Sequence, residues 1–327
     1  MRYLELEGHR LSVIGLGCWQ FGERHWGYGS EYCEADALAV IRRALELGVT
    51  VLDTAELYGR GRSERLVGAA LRGFEGERFL ATKFLPILPT PSVMTSHCQR
   101  SLERLQVPQV ELYQIHKPNP AVPLRVQMEG LRRILGLRLS RYAGVSTYSL
   151  RRWRAAERHL GAPVISNQVR YNLLDRGPES DLIPYAQRRR RLVIAYSPLA
   201  QGLLSGRYRA GLAPPGLRRA NPLFTDAGLD AAQPLLETLR QVADAHRCPP
   251  SQVALAYLIA QPQVIVIPGA KSLAQLESNV AAAELRLGQD ELGALRQSSD
   301  RFRQSRMRTA LQLAARLVHS RSAPNRA

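Results

Sequence analysis

The chain has 327 residues, 45% of them apolar and 22% charged, which suits one large barrel or two ordinary domains and far exceeds what a marginal core requires. Its longest apolar runs, such as QVIVIPGA near residue 265, fall short of the ~20 residues of a membrane span, and the opening MRYLELEGHRL has no apolar signal core, so no membrane span and a cytoplasmic location are expected. The net charge of +17 is carried almost wholly by arginine, with lysine only at Lys83, Lys117 and Lys271; without aromatic interleaving or finger spacing, it does not indicate a specific nucleic-acid partner.

In chain order, YLELEGHRLSV reads as a small β-hairpin with Gly8 in its turn, able to plug the lower mouth of a barrel. Eight β-branched runs come next: VIGLG (13–17), VTVLDT (49–54), RFLATKF (78–84), VELYQIH (110–116), RYAGVS (141–146), VISNQV (164–169), LVIAYS (192–197) and VIVIPG (264–269). Stretches of helical period separate them, among them EADALAVIRRALELG (34–48), SERLVGAALRG (63–73) and SVMTSHCQRSLERL (92–105). This alternation predicts an α/β fold, a closed (β/α)8 TIM barrel over residues 1–300 with an N-terminal hairpin and extra C-terminal helices. A doubly wound open sheet would need a dinucleotide fingerprint after its first strand, and GLGCWQFG places glycines at 15, 17 and 22, outside the G-x-G-x-x-G spacing. The run RRRR at 188–191 sits where a helix should hand over to a strand, a position that favours cations. Residues 203–233 read as a long insertion over the barrel mouth. Residues 301–327 read as a basic extension, with an amphipathic helix at 306–319 and a disordered end. Cys18, Cys33, Cys98 and Cys248 lie far apart with no C-x-x-C pair, so neither a disulfide framework nor a metal site is indicated.

In such a barrel the chemistry lies at the C-terminal ends of the strands. Asp53 and Tyr58 follow the second strand, Lys83 ends the third and His116 the fourth. Ser146, then Asn167 and Gln168, then AYSPL and IPGAKS complete the ring. Lys83 is the informative member, because an ammonium inside FLATKFL needs an anion nearby. Asp53 on the neighbouring strand supplies it and keeps the lysine charged. The lysine in turn is expected to draw the Tyr58 phenol from its usual pKa of ~10 toward the working range, so that it can give a proton to a developing alkoxide. His116 would add a hydrogen bond orienting the carbonyl oxygen.

These residues within LDTAELYG, ATKF and LYQIHKPN, together with LSVIGLGCWQFG, YAGVSTYS, ISNQVRYNLL, AYSPLAQGLLSGRY and IPGAKSLAQLESNV, resemble the aldo-keto reductase superfamily over roughly residues 4–300. The resemblance implies a (β/α)8 barrel that binds NADPH across its mouth, without a metal, and reduces aldehydes or ketones by direct hydride transfer. It assigns Asp53, Tyr58, Lys83 and His116 to the catalytic tetrad. Ser146 and Gln168 would hold the carboxamide, Tyr196 would stack on the nicotinamide, and Ser197, Leu199, Gln201, Gly202 and Arg207 would hold the pyrophosphate. Lys271 and Ser272 would take the 2′-phosphate, with Gln275 and Asn279 at the adenosine end. Gly17, Cys18, Trp19, Asp53 and Gly269 complete the cofactor surface, and Trp19 also faces the substrate. The chain departs from the commonest pattern at Lys117, Thr147, Gln275 and Ser278, none of them in the tetrad. The YSPLAQG, IPGAKS and QLESN blocks are also similar to the β-subunits of voltage-gated potassium channels, which implies a cofactor-binding regulatory module as the alternative to a carbonyl reductase.

Overall fold

The computed structural model describes residues 1–209, 211, 212, 214, 218 and 220–302; the expected tail helix at 306–319 and the expected disordered end lie outside the described residues. Strands β1 (Tyr3–Leu6) and β2 (His9–Ser12) form the expected antiparallel hairpin. Its two-residue turn, Glu7 at φ 50° and Gly8 at φ 79°, has the left-handed geometry that matches strand twist.

Eight parallel strands come next: β3 (Leu16–Gly17), β4 (Val51–Asp53), β5 (Phe79–Phe84), β6 (Val110–Ile115), β7 (Ser140–Ser146), β8 (Val164–Arg170), β9 (Leu192–Tyr196) and β10 (Val264–Val266). Each pairs with its sequence neighbour, and the ring closes where Ile14 bridges Val266. Three backbone bonds make that seam: Gly15 N to Val266 O, Val266 N to Val13 O, and Gly17 N to Pro268 O. The two seam strands are shorter than the apolar runs at 13–17 and 264–269, because Pro268 has no N–H with which to extend the ladder between them. Gly17 has to be a glycine here, since a Cβ would stand 2.5 Å from the Ile267 carbonyl oxygen.

The helices α1 (Glu34–Glu46), α2 (Arg62–Leu71), α3 (Pro91–Leu105), α4 (Leu124–Gly136), α5 (Leu150–Leu160) and α6 (Leu182–Arg189) each follow a barrel strand. As the RRRR run suggests, α6 ends at Arg189 and Arg190 turns the chain at φ 51° into β9. Helices α7 (Asp226–Ala245) and α8 (Pro250–Ile259) follow β9, and α9 (Leu273–Ala281) and α10 (Gln289–Asp300) follow β10. The expected insertion at 203–233 is therefore too long, because residues 226–233 are the first turns of α7. Thr225 starts that helix by accepting the Gly228 N–H, and Leu229, Leu235, Leu236 and Leu239 bury its inner face.

Two apolar layers result. The larger lies between strands and helices. The smaller fills the barrel, where Leu6 and Leu11 of the hairpin pack with Val51, Phe79, Leu112, Leu192 and Ile265. The hairpin is thus the expected plug. Ser12 and Thr50 fasten it by exchanging two bonds, Ser12 N to Thr50 Oγ1 at 2.8 Å and Thr50 N to Ser12 Oγ at 3.1 Å.

Candidate active site

Above the apolar plug the barrel interior turns polar. Val51 and Ala81 belong to the inner layer, so strand alternation brings Asp53, two residues along β4, and Lys83, two residues along β5, to the same inward face. Both are buried. Lys83 Nζ donates to Asp53 Oδ2 at 2.6 Å, to the Thr54 carbonyl at 2.8 Å and to Tyr58 Oη at 3.2 Å, which uses all three of its protons. Gln168 Nε2 donates to the other Asp53 oxygen at 2.7 Å. The loop carrying Tyr58 is pinned on both sides. Gly59 N donates to Glu23 Oε1, and Glu56 accepts from Leu85 N while its other oxygen meets His97 Nδ1 at 2.7 Å.

Burial disfavours the Lys83 ammonium, but Asp53 and Tyr58 outweigh it and leave its pKa raised. Tyr58 differs from the sequence expectation. Burial pushes the phenol up by more than Lys83 pulls it down, so its pKa lies above the ordinary tyrosine value. The phenol is therefore protonated near neutrality. His116 stands edge-on to Tyr58, with ring centroids 5.7 Å apart, and its Nδ1 has no hydrogen-bond partner among the described residues. Burial first, then Lys83 and Lys117, push its pKa down to about 3, so the imidazole is neutral.

A cavity of about 580 Å3 opens over these groups. Its wall includes Tyr58, Asp53 and His116, then Ser146, Gln168 and Tyr196, with Gly17, Trp19 and Gly269 on the seam side. Ser197, Leu199, Gln201, Gly202 and Arg207 also line it, as do Lys271, Gln275 and Asn279. Three sequence candidates lie outside the wall. Lys83 is fully buried against Asp53 and Tyr58. Cys18 turns its buried thiol to the Leu16 carbonyl. Ser272 uses its hydroxyl to accept the Gln275 N–H as the cap of α9. Asn167 is also occupied, bonded through both amide atoms to the Tyr148 backbone.

The sequence reading missed Gln20, Trp26, Tyr208, Arg218 and Ser251, which share the wall. Trp26 packs edge-on against Trp19 at 5.1 Å, and Arg218 lies over Trp26 and donates to Tyr208 Oη at 3.1 Å. Most of these residues sit in irregular loops, where no periodicity marks them. Lys271 pairs with Glu31 at 2.6 Å and Gln20 donates to the Ala270 carbonyl, joining the loop after β3 to the loop after β10.

The aldo/keto reductase family model matches residues 13–300. The chain belongs to the aldo/keto reductase family. An uncharacterized oxidoreductase of Mycobacterium tuberculosis is 48% identical over 304 residues, covering 93% of this chain and 94% of that one. An aldo-keto reductase of Strobilurus tenacellus is 32% identical over 307 residues, covering 89% of each. Among solved structures, an aldo-keto reductase from Klebsiella pneumoniae in complex with NADPH matches with a TM-score of 0.72 at 30% identity, covering 91% of this chain and 95% of that one. This family member is an oxidoreductase.

Proposed function

We propose that the chain is an NADPH-dependent carbonyl reductase in which Tyr58 is the proton donor. The observation that carries this is the chain of contacts from Asp53 through Lys83 to Tyr58 Oη at the cavity wall. The wall fits a dinucleotide phosphate. Ser197, Ala200 and Gln201 all have positive φ, a backbone turn of the kind that gathers N–H groups, and Arg207, Lys271, Gln275 and Asn279 add donors along the same wall, with Lys271 just ahead of α9. Lys271 spends one ammonium proton on Glu31, which leaves donors to meet a 2′-phosphate.

Bound NADPH supplies the hydride. Tyr58 gives its proton to the carbonyl oxygen, Lys83 steadies the resulting phenolate, and neutral His116 orients the oxygen. General acid catalysis of this kind contributes ~10² to 10⁴ in rate. With NADPH and 4-nitrobenzaldehyde, absorbance at 340 nm should fall, and Tyr58→Phe should slow it at least ~100-fold while NADPH still binds. Equal slow turnover in both proteins would leave only a cofactor-binding module.

A further inference from the structure

Charge is unevenly spread over the cavity wall. Among the described residues its only carboxylate is Asp53, already taken by Lys83 and Gln168. Of its cations, Lys271 is paired with Glu31, Arg218 is bound to Tyr208 and the Gln201 carbonyl, and Arg207 stands beside the turn that fits the cofactor's phosphates. Lys117 is different. It follows His116 directly, lines the cavity, and makes no ion pair among the described residues. Its charge is felt at the His116 imidazole. The loop that presents it is fixed by Asn119, whose side chain donates to the Pro86 carbonyl and accepts from Ala121 N, both at 2.7 Å. Trp19, Trp26 and Leu57 give the same cavity an apolar wall.

We propose that the substrate is an aldehyde or ketone bearing a carboxylate on an apolar body, with Lys117 receiving the carboxylate while the body lies on Trp19, Trp26 and Leu57. This rests on the carbonyl-reductase reading. An exposed ammonium on a fixed loop gains less from a neutral substrate than from an anionic one, which it attracts and whose carbonyl it orients toward Tyr58 and His116.

The test compares 4-carboxybenzaldehyde with methyl 4-formylbenzoate, using NADPH and wild type, Lys117→Met and Lys117→Arg. Wild type should favour the carboxylate in kcat/KM, through KM. That preference should shrink roughly 5- to 10-fold in Lys117→Met and persist in Lys117→Arg. Terephthalate should quench tryptophan fluorescence of the NADP+-loaded wild type at lower concentration than that of Lys117→Met. Turnover of both aldehydes with the same ratio in wild type and Lys117→Met overturns the anion assignment alone. No turnover of either aldehyde by cofactor-loaded protein removes the reductase reading and this one with it.

Discussion

The two ends of the barrel interior solve opposite problems. At the lower end, Leu6 and Leu11 close the barrel with apolar contact and need no partner beyond shape. At the upper end, Lys83 is equally buried but is held by three acceptors, so its stability depends on the completeness of a polar set. A charge can be buried at the upper end only because every proton on it has a destination, and that same completeness holds Tyr58 in place at the cavity wall.

The largest effect should come from breaking the upper set. Lys83→Met leaves Asp53 buried without its cation and should cost about 3 to 5 kcal/mol in urea unfolding, together with turnover. Adding Asp53→Asn should recover part of the stability and none of the activity. Full additivity of the two changes would show that the pair is not coupled. At the lower end, Leu11→Ala should cost about 2 to 5 kcal/mol, while the folded fraction retains NADPH-dependent turnover.

Much of this contrast was legible in the sequence. The Glu7-Gly8 turn between alternating residues announced the plug, and a lysine within FLATKFL announced a buried charge needing an acid. What the sequence did not carry was degree of burial, which reversed the expected direction for Tyr58. Nor did it carry the start of α7, because DAGLDAAQP contains a glycine and a proline that read as loop. Thr225 and the leucines packed beneath the helix override that local preference. Trp26 and Arg218 reach the cavity from loops whose course depends on tertiary contacts.

His116 gives a pH test of the upper end. Its folded pKa is depressed to about 3, below the ordinary value of 6.5, so folding favours the neutral ring. Its contribution is present above pH 6.5 and is lost as pH falls from there toward 3. Wild type should lose stability over that window by more than His116→Gln does, measured as melting temperature against pH. Parallel curves would mean that the ring is solvated when it protonates.

The smallest effect concerns the layer between the two ends. Gln114 pairs with Lys83 in register on one side and with Gly144 on the other, and among the described residues both its amide atoms are buried without a partner, as is the Ser166 hydroxyl across Gly144. A buried polar group left unpaired costs about 1 to 3 kcal/mol. Gln114→Met keeps the volume and removes that cost, so it should raise stability by roughly 1 kcal/mol in urea unfolding. A loss of stability instead would mean that the amide and the hydroxyl share an ordered water, making this layer a continuation of the polar upper end rather than a seam between the two.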